Sequence, residues 1–246
     1  MELWHGSCGA IRQDGSHDNE EAKYHSDAGG LPWPNHRVIV FDPKQDNLWR
    51  RSESRYGTPA ARSPRVSNEL WHQPGTFVTA FPYWHQLGVP PETPETTLVS
   101  LALHQLDLLF AQQTAPAETA AIVIEPVLGE GGYVPAPTSF LSALRAICDQ
   151  HGVVLIFDEV QSGFGRCGRY FACEWSGVKP DVMVFAKGLA NRFPLSGVVS
   201  SQRRMDMMPP GTMGGTYAGN AVSCAAAIAC TEVMEVSEFG CWSHEP

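Results

Sequence analysis

From Phe77 onward the chain alternates short apolar runs with amphipathic stretches of helical period, and this alternation restricts the fold more than any other feature. AAIVIEPV (120–127) and VVLIFDEV (153–160) are apolar on both alternating faces, as strands covered on both sides are. DVMVFAKG (181–188) and SGVVSS (196–201) supply two further strand candidates. Between them lie helical patterns. PETTLVSLALHQLDLLFAQQ (94–113) sets Leu98, Leu101, Ala102, Leu106, Leu109 and Phe110 at mostly helical spacing after a Pro and Thr start, enough for about five turns. PTSFLSALRAICDQHG (137–152) predicts a helix begun at Thr138 or Ser139 and stopped at Gly152, and NAVSCAAAIACTEVMEV (220–236) an Ala-rich helix. The pattern is that of an α/β domain with a mostly parallel sheet.

The first 75 residues have a different texture. They are rich in Gly, Pro, His, Arg and Ser, with one short apolar run, HRVIVF (36–41), and no sustained period. Alone, this part is not expected to fold. The chain therefore divides into an atypical segment 1–75, a domain at 76–236 and an atypical tail at 237–246.

Composition narrows the partners. With a formal charge of −9 and no long basic stripe, broad binding to nucleic acid or to an anionic membrane is disfavoured, and small-molecule chemistry is expected. No stretch is long and apolar enough to span a bilayer, and MELWHGSCGAIRQDGSHD lacks the basic flank and apolar block of a signal peptide. Seven cysteines without regular close spacing fit reduced packing thiols of an intracellular protein, and nine histidines show no metal-ligand spacing. The aromatic cluster FPYWHQ (81–86) is expected to pack in a core or interface.

In open parallel sheets ligands lie beyond the carboxyl ends of strands. Three strand candidates end there in polar residues: Glu125, Asp158 with Glu159, and Lys187. Two acidic strand ends and a lysine converge on one edge. A buried acid needs a partner for its charge, and a lysine desolvated at a strand end can serve as an amine nucleophile or Schiff-base former, although a solvated strand-end lysine has the same pattern. The glycine-rich turn SGFGRCG (162–168) follows a strand but lacks the Lys and hydroxyl pair of a nucleotide-binding loop.

The segment FDEVQSGFGRCGRYFACEWSGVKPDVMVFAKGLA (157–190) resembles the signature of class III aminotransferases, pyridoxal-phosphate enzymes of the aspartate-aminotransferase fold. IEPVLGEGGYVPAP upstream and GTMGGTYAGNAVSCAAAIA downstream resemble flanking motifs of the same family, and the likeness runs from about Phe77 to Glu235. The resemblance implies a three-layer, mostly parallel sheet like the large domain of fold-type I pyridoxal-phosphate enzymes, here incomplete. It also implies a role for each matching residue. Lys187 would hold the cofactor aldehyde as a Schiff base and shuttle a proton at the substrate Cα, while Asp158 would keep the pyridine nitrogen protonated. Gln161 would donate to the cofactor's phenolic oxygen, and Thr216 would bind its phosphate across a homodimer interface. Glu130 matches the acid that, in members acting on ω-amino acids, pairs with a substrate-binding arginine. Glu125 would cap or orient neighbouring strands or touch a ligand, and Glu159 would hold the nearby loop.

The implied reaction is amino transfer from an amino acid, with an ω-amino acid as one candidate, to a 2-oxo acid. The compartment would be cytoplasmic or mitochondrial. A decarboxylase or aminomutase of the same fold, and a catalytically inactive truncated product, remain alternatives. The family's Gly-Ser-Glu-Ala loop and YHGRT motif are not found before FVTAFPYW, and residues 5–50 read as an out-of-frame translation of that region. EEAKYHSDAGGLPWPNH (20–36) admits codons that read KKPNIIQMQGGYHGRT after a one-nucleotide shift, and FDPKQDNLWR (41–50) admits LTRSKTIYG. The tail EFGCWSHEP also departs from the family, as does the missing small C-terminal domain with its carboxylate-binding arginine. Finally, Arg192 in GLANRFP stands where the family has glycine, a substitution unsuited to positive φ.

Overall fold

A computed structural model describes residues 37–41, 75–207 and 218–236. The shifted segments 20–36 and 42–50, the tail 237–246 and Thr216 lie outside the described residues.

The apolar runs form one six-stranded sheet. Its strands are β1 (Arg37–Phe41), β2 (Thr76–Thr79), β3 (Thr119–Ile124), β6 (Val154–Asp158), β7 (Val182–Phe185) and β8 (Gly197–Ser200), in spatial order β2-β1-β3-β6-β7-β8. All neighbours run parallel except β7 and β8. A two-residue pair, β4 (Val127–Leu128) with β5 (Val134–Pro135), forms a separate antiparallel ribbon after β3.

Register explains the core. Phe77, Ile39, Ile122 and Leu155 stand side by side across four strands, and Thr79, Phe41, Ile124 and Phe157 form the next row on the same face. Side chains two apart along a strand share a face, so the rows make one apolar floor. Two helices cover it: α2 (Glu95–Gln112), through Val99, Ala102, Leu106 and Leu109, and α3 (Thr138–His151), through Phe140, Leu141, Leu144 and Cys148. Phe41 and Phe140 meet edge to face at 5.3 Å. Burial of this size is the main source of stability in such a layer.

The helix ends follow the sequence closely. Gly152 closes α3 in the left-handed region at φ +69°, and its N–H reaches the Cys148 carbonyl. At the other end Pro137, not Thr138 or Ser139, takes the capping position, and its carbonyl accepts the N–H groups of Phe140 and Leu141. The FPYWHQ cluster splits between core and surface. Phe81 is fully buried, while Trp84–Leu87 forms the short helix α1 with His85 exposed.

Within the first 75 residues, the run HRVIVF contributes β1, which lies between β2 and β3. Arg37 is tied to Glu118, in the 3-10 turn Pro116–Glu118 before β3, by a hydrogen-bonded ion pair. The short helices α4 (Cys173–Ser176) and α5 (Gln202–Met205) flank β7 and β8, and α6 (Ala221–Val236) closes the described chain. Asn220 caps α6 by accepting the N–H groups of Val222 and Ser223, each at 3.1 Å. No helix among the described residues is long and apolar enough to cross a membrane.

Asp181 fastens the rear of the sheet. Its carboxylate meets Arg145 of α3 at 2.9 Å, Arg204 of α5 at 2.7 Å and the Leu155 N–H of β6 at 2.8 Å. Three elements are thus held by one half-buried acid.

Candidate functional site

Parallel pairing brings the carboxyl ends of β3, β6 and β7 together, so Glu125, Asp158 and Lys187 follow one another along one edge. Asp158 is the last residue of β6 and pairs in register with Val184 of β7. It is 6% exposed and accepts the Val160 N–H at 2.9 Å. Burial pushes its carboxyl above the usual range, and the nearby charge of Glu159 adds to this, while the Val160 hydrogen bond and the Lys187 ammonium oppose it. A buried acid in this state favours a fixed cation beside it.

Lys187 stands beyond β7, where the chain leaves the sheet at Ala186 and enters the 3-10 turn Lys187–Ala190. Of the two states the sequence leaves open, desolvated or solvated, Lys187 takes the second: it is exposed, in a turn where its φ is +40°. Three residues of this loop, Lys187, Asn191 and Arg192, have positive φ. Arg192 sits at +80°, the conformation that a glycine would adopt without strain.

Gln161 and Glu130 come together. The Gln161 Nε2 donates to Glu130 Oε1 at 3.0 Å, joining the turn after β6 to the loop between β4 and β5. Gly129 allows this approach, since a Cβ there would stand 2.8 Å from Gln161 Cγ. Glu125 accepts the Gly129 N–H at 2.8 Å and so shapes the same loop.

Glu159, the first residue beyond β6, is fully buried. It accepts hydrogen bonds from Ser162 Oγ, the Ala172 N–H and the Cys173 N–H. The glycine-rich turn beyond it is packed by rings: Phe164 lies 5.4 Å from Phe171 and 5.6 Å from Phe185 of β7. These aromatic and Ser162 contacts were not read from the sequence, and the Gly163 and Gly168 spacing in SGFGRCG is the only local sign of them.

Among the described residues, Cys148 and Cys173 fit packing thiols. Burial pushes the Cys148 thiol up to about 12, and burial with Glu159 nearby pushes Cys173 to about 12. Among the described residues no group of His, Cys, Asp and Glu could hold a metal ion.

Residues 63–241 match the family described as Aminotransferase class-III. The 5-aminovalerate aminotransferase DavT of Pseudomonas putida is 51% identical over 134 residues, which cover 54% of this chain and 32% of that protein. The 4-aminobutyrate aminotransferase GabT of Escherichia coli is 50% identical over 137 residues, 56% of this chain and 32% of that protein. A solved taurine:2-oxoglutarate aminotransferase from Bifidobacterium kashiwanohense, in complex with PLP and glutamate, is 28% identical with a TM-score of 0.70, covering 83% of this chain and 46% of that one. The chain spans about a third of the length of these curated relatives. The matched residues include the whole edge formed by Glu125, Asp158 and Lys187, and the chain belongs to the class-III aminotransferase family.

Proposed function

We propose that the chain transfers an amino group from an amino acid to a 2-oxo acid with pyridoxal phosphate as cofactor. The observation that carries this is the buried Asp158, its carboxyl raised by desolvation, on the same strand-end edge as an exposed lysine. The described residues fit the cofactor. A buried carboxylate suits a pyridinium nitrogen, and a solvent-accessible amine at the end of the neighbouring strand suits an aldehyde. When bound, the cofactor supplies an aldehyde that captures amines and a ring that draws electrons from the substrate Cα.

The chain's own residues divide the remaining work. Lys187 Nζ holds the cofactor and then moves a proton at the substrate Cα, Asp158 keeps a positive ring nitrogen in place, and Gln161 uses its free amide hydrogen for the phenolic oxygen. Thr216 binds the phosphate of a partner copy's cofactor, so the active unit is a homodimer. Glu130, which accepts Gln161 Nε2, is assigned to the substrate side. The names of the 5-aminovalerate and 4-aminobutyrate relatives support an ω-amino acid as donor.

The test is direct. Purified chain is mixed with pyridoxal phosphate, reduced with borohydride and digested, and the peptides are weighed. The cofactor mass is expected on the peptide bearing Lys187 and absent in Lys187→Ala. Labelling spread equally over Lys179 and the remaining lysines, Lys23 and Lys44, would reject the assignment.

A further inference from the structure

Glu159 is linked to the lysine loop by a continuous set of contacts. Its side chain is fully buried and takes three donors: Ser162 Oγ, the Ala172 N–H at 3.1 Å and the Cys173 N–H at 2.8 Å. Its own N–H donates to the Val184 carbonyl at 2.8 Å, and its carbonyl accepts the Gly163 N–H at 2.9 Å. One residue therefore joins the end of β6, the 162–164 turn, the start of α4 and strand β7.

That turn in turn presses on the lysine loop. A Cβ at Gly188 would stand 2.9 Å from Phe164 Cβ and 3.5 Å from the Gly163 carbonyl oxygen, so the two backbones are as close as a glycine permits. Both sides of the contact carry left-handed residues, Phe164 at φ +54° and Lys187 at φ +40°. Such conformations are unfavourable for side chains with a Cβ and persist only where neighbours enforce them. The Phe164 ring is fixed between Phe171 and Phe185, which leaves the turn little freedom to yield.

We propose that Glu159 is a positioning residue for Lys187: its carboxylate fixes the 162–164 turn, and the Gly163–Phe164 backbone forms the shelf that holds Lys187–Gly188 beside Asp158. Asp158 needs a charge in a defined place, and the shelf sets where the lysine's charge can be. The consequence for catalysis rests on the function proposed above, but the placement of Lys187 does not.

Trace acetic anhydride labelling of the full chain without cofactor reads that placement, with exposed Lys179 as internal reference. In the wild type Lys187–Gly188 is held against the Gly163–Phe164 backbone, so the Lys187 to Lys179 labelling ratio is that of a lysine fixed in one place. Loss of one hydrogen bond from the Glu159 cluster, in Ser162→Ala or Glu159→Gln, raises the Lys187 to Lys179 ratio about threefold or more. Gly188→Ala, which wedges the shelf apart, does the same. The double variant Glu159→Gln with Gly188→Ala gives the larger single effect and not the product, because both act through one contact. A wild-type ratio in Ser162→Ala overturns the proposal even if Glu159→Gln does not fold, and so does a multiplicative double variant. Failure of wild-type Lys187 to capture the cofactor would reject the proposed function while leaving the labelling result intact.

Discussion

Arg192→Gly should make the protein more stable, although it removes a charged side chain from the surface and adds a flexible residue. Arg192 has φ +80° in a loop that already carries Lys187 and Asn191 at +40° and +45°. For an L-residue the left-handed region costs roughly 1–2 kcal/mol, from the clash of Cβ with the backbone. Glycine removes that clash but raises the entropy of the unfolded chain, which costs about 0.4–1 kcal/mol. The side chain is exposed, and among the described residues it makes no hydrogen bond or ion pair, so little else is lost. A net gain of about 0.5–1 kcal/mol follows. With a urea slope of roughly 2–3 kcal/mol per molar, the unfolding midpoint should rise by about 0.3 M. Arg192→Ala is the control. It keeps the Cβ and hence the clash, and its midpoint should stay near the wild type. If Ala stabilises as much as Gly, or if Gly lowers the midpoint, strain at this φ is not what limits the loop.

Other perturbations give equally definite outcomes. Gly197→Ala places a Cβ 2.5 Å from Phe185 Cε2 across the β7–β8 pair, and thermal unfolding should show a loss of about 1–3 kcal/mol. Asp181→Asn weakens the links to Arg145 and Arg204 together, and a loss of about 1–3 kcal/mol is expected in urea, where an effect below about 0.5 kcal/mol would show that the two pairs are solvated. The folded Asp158 carboxyl titrates above its unfolded value, so the folded state binds the extra proton between the two. Without cofactor, stability should therefore fall as pH rises from the ordinary carboxylate range through the raised value, and Asp158→Asn should flatten that slope. Retention of the full slope in Asp158→Asn would assign it to another group.

Much of this arrangement is legible in the sequence because local rules carry it. Gly152 ends α3 because only a residue tolerant of φ +69° can turn the chain there. The helical spacing in α2 does not say which apolar residue of its first turns is buried: Val99 joins Ala102, Leu106 and Leu109 in the core. Leu98 and Val99 are both apolar, and only the angle at which the helix meets the sheet chooses between them. What could not be read depends on approach through space. The Glu130–Gln161 bond joins residues 31 apart, and it needs Gly129 to let two loops touch. The exposure of Lys187 depends on a left-handed turn, which a strand pattern ending in lysine does not announce. Glu159 and Asp158, adjacent and chemically alike, divide by their partners: Glu159 takes three donors from the following turn and helix, and Asp158 only the Val160 N–H.

The place of β1 bears on the order in which the molecule assembles. Strands β3, β6, β7 and β8 follow one another both in sequence and in space, so each can join its neighbour soon after it is made. β2 touches the sheet only through β1, and β1 reaches β3 across a gap of about 80 residues, as its Arg37–Glu118 pair does at a separation of 81. Closing so long a loop must be compensated by contacts that form only afterwards, which makes such pairing slow. The flank bearing β1, β2 and α1 is thus the last part to dock and the first to open. Amide hydrogens of β1 and β2 should exchange before those of β3 and β6, giving the sheet a labile margin on the side away from its lysine.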